Sequence, residues 1–533
     1  MPYARTASPV PTPTAETARA RRQTMGDLLR WSAARHPERL ALVSAGRRVS
    51  YGDLDREVNR TANAIVGAGL RRGDRLALLA RNSHEFVVLY YACAKAGVIV
   101  VPINFMLQAH EVSYILEASG AVAFVVDDAL HVVGATALGG ELGEQVRVRA
   151  MIGAAKPGWL DVDDWARWGD PTEPMVELDD DDPLELLFTS GTESRPKAAA
   201  LSHRSVIAQH TSCIVGGEMT AADVEVHALP LYHCAQLHCF LTVDIQLGAT
   251  SIVLPGADAG QILATIEREK ATKLFCPPTV WISLLRHEDF ERRDLSSLRK
   301  AYYGASPMPV EILHELHRRL PGVRLFNFYG QTELAPIATI LAPEDQVRKA
   351  GSAGRPAVNV ETRVVDDAGA TLPPGEVGEI VHRSPQATLG YWDQAGKTAE
   401  SFAGGWFHSG DLGVFDEEGY LTVVDRKKDM IKTGGENVAS REVEEVLYAH
   451  PDVTEAAVFA TDHPVWIEAV TAAVVPRSGA ALTTQSVIDF CRERLAPYKA
   501  PKYVAIVEDL PKNASGKILK RELRTRFAEI AAA

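Results

Sequence analysis

No two of the six cysteines, Cys93, Cys213, Cys234, Cys239, Cys276 and Cys491, form a Cys-x-x-Cys pair. That spacing excludes a zinc site of paired cysteines and predicts buried or free thiols in a reducing compartment. No apolar run is long enough to span a bilayer. The first stretch, 1–22, has no apolar segment of the kind a secretory signal needs. It is rich in Pro, Thr, Ala and Arg, so a disordered tail over 1–23 and a cytoplasmic protein are expected. There is no excess of positive charge either. The 56 Lys and Arg stand against 69 Asp and Glu, a net charge of −13, which argues against a nucleic-acid surface. The GxxxxGK[ST] spacing of the P-loop is missing, and there is no internal repeat.

What is present is the composition of a soluble globular protein: 46% hydrophobic and 23% charged residues over 533 positions. That length calls for two or more domains. A helical face at Met25, Leu28, Leu29 and Trp31 is followed by strands at 40–43 and 47–50 and a long helix capped by Ser50. Strands at 75–79, 98–101 and 121–126 alternate with helices, which predicts α/β layers with mainly parallel sheet. Residues 129–182 are less regular and end in an acidic run, read as a solvated connector. From 354 the texture changes to short strands and Gly/Pro turns, a small β subdomain. The remainder, beyond 430, reads as a compact α+β unit.

The chemistry is concentrated in short polar stretches at strand ends. The run Leu186-Leu187-Phe188 empties into Thr189-Ser190-Gly191-Thr192-Glu193-Ser194-Arg195-Pro196-Lys197 and returns to a strand. Gly191 lets the backbone turn, and N–H groups with the hydroxyls of Thr189, Ser190 and Thr192 can wrap a polyphosphate. Lys197 adds a point charge. A polar surface hairpin is the plain alternative. His233 follows a strand and has a core histidine as its alternative. Gly304 offers a close approach to a flat ligand. The run Asn327-Phe328-Tyr329-Gly330-Gln331-Thr332-Glu333 brings an aromatic ring, a hydroxyl and a carboxylate together, suited to a base, a phosphate and a hard cation.

Taken together these stretches resemble the acyl-adenylate-forming superfamily of acyl- and aryl-CoA synthetases, luciferases and peptide-synthetase adenylation domains. Six motifs occur in the family's order: 189–197, 329–333, 408–411, 425–432, 434–444 and 511–517. The resemblance implies a large N-terminal domain over 24–427 and a small mobile domain over 428–533, with the hinge at Lys428. It implies that a carboxylic acid attacks ATP to give acyl-AMP, and that the thiol of CoA then expels AMP.

Site roles follow residue by residue from that match. Thr189, Ser190, Gly191, Thr192 and Lys197 would hold the β- and γ-phosphates. Tyr329 would stack on adenine with Asn327 and Gly304 at its edge. Thr332 would touch the α-phosphate, Glu333 would hold Mg²⁺, and Asp411 with Arg426 would take the ribose. Lys517 would bridge carboxylate and α-phosphate, a solvated loop lysine being its alternative, and His233 would border the acid. Gly434, Gly435 and Glu436 would line the pantetheine tunnel. Trp466, Tyr498, Lys499 and Lys502 would meet the CoA nucleotide, with a packing role open for Trp466. The pocket segments around 233–237, 302–306 and 330–336 are apolar, favouring an aryl or medium-to-long aliphatic acid. A homodimer is left open.

The sequence departs from the family at Glu193, Ser194 and Ala198, where Thr, Gly and Gly are usual, and at Ile467, where Gly is usual. An anion at Glu193 motivates one alternative: weak adenylation, with thioester formation from preformed acyl-AMP as the main activity. A carrier-loading enzyme and a non-catalytic nucleotide-binding relative are the others.

Overall fold

The computed structural model describes residues 14–189, 196–513, 516–528 and 530, and these form four sheets. The helix Tyr51–Gly67 shows how the layers arise. Ser50 accepts from the Asp53 N–H at its start, and Leu54, Val58, Ala62 and Ile65 recur on one face with no exposure. The strands Ile99–Ile103 and Ala123–Asp127 are buried at every residue, as strands covered on both faces must be.

A nine-stranded sheet runs from Arg47–Ser50 and Leu40–Ser44 at one edge to Ile337–Leu341 and Arg355–Pro356 at the other. Between them lie Thr250–Val253, Val224–His227, Lys273–Phe275, Lys300–Gly304 and Arg324–Gly330, paired in parallel. An eight-stranded sheet holds Arg75–Leu79 and its parallel neighbours, and ends in the antiparallel strands Pro183–Thr189, Lys197–Ser202 and Gly390–Tyr391. The expected β subdomain is a four-stranded antiparallel sheet of Glu361–Val365, Gly378–Arg383, Phe407–Phe415 and Leu421–Arg426. The small C-terminal domain has its own five-stranded sheet and core. The mixed α/β class and the large-plus-small arrangement agree with the sequence reading.

Three local readings change. The expected disordered tail contains a helix, Ala15–Arg21, tied down beyond its end by Arg22, which pairs with buried Asp27 at 2.7 Å. The stretch 129–182, read as less regular, carries the sheet strand Val148–Ile152 and the helix Val162–Trp168. The apolar helix after His233 begins at Cys234 and contains a π turn, Leu237–Leu241. Among the described residues no helix is long and apolar enough to cross a membrane, and all six cysteines are free and buried.

The nine-stranded sheet encloses a charge network. The Lys273 ammonium lies 2.8 Å from Glu225 and 2.5 Å from Asp244, all with no exposure. Glu225, His227 and Asp244 are close enough to hold a metal ion, but the lysine supplies the cation. Burial opposes its charge, yet Asp244 and Glu225 raise its pKa. Burial raises that of Glu225, while Lys273 holds Asp244 low against its own burial. One ion pair with one protonated carboxyl is the arrangement these directions favour. Lys273→Met should therefore destabilise the protein by about 3–5 kcal/mol, because it strands a buried carboxylate. Chemical denaturation measures this, and a loss below about 1 kcal/mol would contradict the network's role.

Candidate active site

The two strands that flank the phosphate-loop stretch pair antiparallel, with Phe188 opposite Ala198 and Thr189 opposite Lys197. Ser190, Gly191, Thr192, Glu193 and Ser194 lie outside the described residues. The Thr189 hydroxyl donates to the Lys197 carbonyl at 3.4 Å. Ala198 is 4% exposed and belongs to the core around Leu186 and Ala200, so its methyl is used in packing.

The turn after Arg324–Gly330 carries Thr332 and Glu333. Tyr391, which sequence reasoning missed, donates its hydroxyl to Glu333 Oε1 at 2.8 Å. The Thr388 N–H donates to the Glu333 carbonyl at 2.7 Å, and the Thr388 hydroxyl to the Ala200 carbonyl at 2.6 Å. Lys197 Nζ sits 5.8 Å from the Tyr391 ring centre. The short strand Gly390–Tyr391 pairs with Ala199 and Ala200, so one segment joins the phosphate-loop strand to the Glu333 turn. No spacing rule links residues so far apart in sequence. Glu333 could hold a hard cation here, since Tyr391 takes only its Oε1.

The strand Phe407–Phe415 brings Asp411 to the same place. Its Oδ2 accepts from the Tyr329 hydroxyl at 2.8 Å and from Gln331 Nε2 at 3.2 Å. Arg426 Nε lies 3.6 Å from Oδ1. Gln331 is a second residue the sequence reading did not single out. Burial and then Asp411 push the Tyr329 phenol well above its ordinary value, so it stays a donor. Asn327 donates to the Ser352 carbonyl at 3.0 Å. At Gly304 a Cβ would lie 2.3 Å from the Phe328 carbonyl oxygen. Strand packing alone therefore requires this glycine.

Lys517 arrives from the small domain. Its loop folds on itself, with the Lys517 N–H donating to Asn513 Oδ1 at 2.9 Å. The Thr279 hydroxyl donates to the Gly516 carbonyl at 3.0 Å, and a Cβ on Gly516 would strike Thr279 at 2.5 Å. Gly516 has φ +79°, a second reason for glycine. Burial lowers the Lys517 pKa to about 8; Arg426 and Lys428 add to that, while Asp411 and Asp429 oppose it. Lys428, on the turn before the small domain's first strand, is lowered to about 8 by burial and Arg426. His233 is brought down to about 4 by burial and then by Lys517. Its Nδ1 accepts from the Ala235 N–H at 3.2 Å, capping a short turn, so the neutral ring carries its proton on Nε2. Cys234 Sγ touches Thr332 Oγ1 at 3.4 Å.

The thiol-side residues form a separate group. Gly434 and Gly435 have φ +61° and +88° and make the two-residue turn between Thr433 and Glu436. The Gly434 N–H donates to the Trp466 carbonyl at 3.0 Å. Trp466 stacks on His463 at 4.3 Å, and Lys502 Nζ lies 3.0 Å from its ring centre. Lys499 pairs with Glu442 at 2.7 Å, and Tyr498 is exposed. Ile467 holds φ +70°, a strained setting for a β-branched residue where the family's usual glycine would relax.

The paired strands Pro183–Thr189 and Lys197–Ser202, the Tyr329–Asp411 pair and Lys517 from the small domain make up the candidate nucleotide site. Two family models match: the AMP-binding enzyme over residues 29–392 and the AMP-binding enzyme C-terminal domain over 442–517. The chain belongs to the AMP-binding enzyme family. It is 37% identical to a feruloyl-CoA synthase of Amycolatopsis sp over 92% of this chain and 96% of that one. It is 35% identical to an indoleacetate–CoA ligase of Aromatoleum aromaticum over 93% and 96%. The crystal structure of the anthranilate CoA ligase AuaEII in complex with anthranoyl-AMP superposes with a TM-score of 0.90, at 29% identity over 96% and 98%.

The Lys517 environment has a direct readout. Its ammonium should be protonated at pH 7 and neutral well above pH 8. NMR of isotopically methylated lysines should show two resonances titrating near 8, those of Lys517 and Lys428, of which Lys517→Arg removes one. Titration at the ordinary value of about 10.4 would refute the burial.

Proposed function

We propose that this chain is an acid–CoA ligase that activates an apolar carboxylic acid as acyl-AMP and transfers the acyl group to CoA. The observation that carries the reading is Lys517, held beside Arg426, Asp411 and His233 by a loop docked on Thr279. A non-catalytic nucleotide binder has no need of a half-buried lysine delivered from another domain. In the first half-reaction a carboxylate oxygen attacks the α-phosphorus of ATP and pyrophosphate leaves. Lys517 balances the growing charge between carboxylate and α-phosphate, and neutral His233 borders the acid without adding charge. Thr332 contacts the α-phosphate, Asp411 the ribose and Tyr329 the adenine. Thr189, Lys197 and the loop between them take the β- and γ-phosphates. Glu333 would hold Mg²⁺, whose charge would offset that of the phosphates.

In the second half-reaction the domain 428–533 turns about Lys428 and withdraws Lys517. The CoA thiolate attacks the carbonyl carbon, and AMP leaves. Gly434, Gly435 and Glu436 line the thiol's path, with Trp466, Tyr498, Lys499 and Lys502 toward the nucleotide. The relatives named above for ferulate and indoleacetate support an aryl acid. A cytoplasmic setting fits the free cysteines. A second reading, loading of a carrier protein, draws on the thiol side: Lys499 is already paired with Glu442, and Val465 and Ile467 are exposed beside Trp466. Offering CoA against a phosphopantetheinylated carrier decides between them.

Two variants test the roles. Lys517→Ala should remove acid-dependent pyrophosphate release while leaving thioester formation from supplied acyl-AMP near wild type; equal loss in both halves would defeat the assignment. Tyr391→Phe deletes the hydrogen bond to Glu333, worth about 1.5–3 kcal/mol for a charged acceptor. It should raise the Mg²⁺ concentration for half-maximal adenylation by roughly tenfold or more. An unchanged Mg²⁺ dependence would show that Tyr391 merely packs.

A further inference from the structure

His233 sits on a turn whose position is set from outside the site. Asn82 follows the strand Arg75–Leu79 of the eight-stranded sheet and is 6% exposed. Its side chain crosses to the nine-stranded sheet. Nδ2 donates to the Leu229 carbonyl at 2.8 Å and to the Leu254 carbonyl at 3.1 Å. Oδ1 accepts from the Leu231 N–H at 2.8 Å. Leu229 and Leu254 lie just past the ends of Val224–His227 and Thr250–Val253, which are parallel neighbours. One amide thus joins the two sheets at their strand ends, just before His233.

The same turn is closed on its other side. The Leu229 N–H donates to Gln236 Oε1 at 3.3 Å, and Gln236 Nε2 lies 2.8 Å from His227 Nδ1. The His233 N–H donates to the Pro230 carbonyl at 3.2 Å. Proline brings no N–H of its own. The N–H and carbonyl of Leu229, the carbonyl of Pro230 and the N–H of Leu231 are therefore all taken, as buried backbone demands. A short planar amide supplies two donors and an acceptor in one side chain; aspartate of the same size lacks the donors. The turn so held carries one side chain of the candidate site, the His233 ring, whose Nδ1 accepts from the Ala235 N–H.

We propose that Asn82 is a positioning residue for acid activation: it pins the turn 229–233 and so fixes the direction in which His233 presents its Nε2–H. That the ring faces the acid rests on the ligase reading above. Asn82 acts through the turn and not on the reacting atoms. Such a pin matters because a displacement of ~1 Å at a reacting centre costs about 100-fold in rate.

Nitrogen-15 NMR of labelled histidines reads the pin without turnover. The His233 ring, assigned with His233→Gln, should be a single Nε2–H tautomer in the wild type and a mixture of tautomers in Asn82→Ala. An unchanged His233 signal would overturn the proposal. Asn82→Ala should also lower kcat/KM for the acid by about 100-fold in pyrophosphate exchange, while AMP affinity, read by calorimetry, stays as in the wild type. Equal losses for acid and AMP would count against the pin as well. Tyr51→Phe controls for stability alone. Its buried hydroxyl donates to the Asp244 and Ala249 carbonyls, outside the turn. It should lower the melting temperature and move neither readout; the same His233 and acid changes in Tyr51→Phe would reduce Asn82 to a packing role. Asn82→Ser keeps one hydrogen-bond donor, should show the same pattern at smaller size, and carries the test if the alanine variant does not fold. A His233 signal that shifts in Asn82→Ala, with no acid-dependent exchange in the wild type, would defeat the ligase reading and leave the pin standing.

Discussion

The arrangement depends on like charges forced together. Lys517, Arg426 and Lys428 lie within electrostatic reach of one another around the carboxylates of Asp411 and Asp429, and two of them are lowered to a pKa of about 8. Such a cluster raises the energy of the docked small domain until an anion joins it. On the function proposed above, a phosphate ester with a neighbouring carboxylate would supply that anion. A nucleotide and an acid would then stabilise the docked geometry, and release of pyrophosphate would weaken it. Domain rotation needs no separate trigger if the charge that favours docking leaves with the first product.

The two large sheets serve this cluster by bringing their strand ends together. One contributes the Thr189–Lys197 hairpin, the other the Thr332–Glu333 turn, and the β subdomain contributes Asp411. Parallel sheets expose loops at the carboxyl ends of their strands, so convergence there follows from the topology. The segment 388–391 makes the convergence rigid. It hydrogen-bonds to the Glu333 backbone and side chain while pairing with the strand after the phosphate loop. A shift of either sheet would be felt at the Glu333 carboxylate.

Periodicity and punctuation made most elements legible. Ser50 and the 3–4 spacing of Leu54, Val58, Ala62 and Ile65 predict the helix that forms. The change to short strands after 354 predicts the separate antiparallel sheet. The misses have physical reasons. The helix Ala15–Arg21 is followed by a tertiary ion pair, Arg22 to Asp27, which composition does not report. The strand Val148–Ile152 sits in a stretch whose polar flanks obscured a short apolar run. Tyr391 and Gln331 reach Glu333 and Asp411, partners distant in sequence, and local pattern carries no signal for those contacts.

Glycine shows where motif reading and physical cause separate. Gly304 reads as a place for a flat ligand to approach, yet the Phe328 carbonyl already forbids a Cβ there. At Gly330 a Cβ would meet the Pro336 carbonyl oxygen at 1.7 Å. Gly434 and Gly435 are demanded by the positive φ of a two-residue hairpin. In each case the fold alone requires glycine, and any ligand exploits a surface the backbone had to leave bare. Ile467 is the converse. Its φ of +70° favours glycine, but isoleucine stands there, exposed beside Trp466. No packing among the described residues explains it.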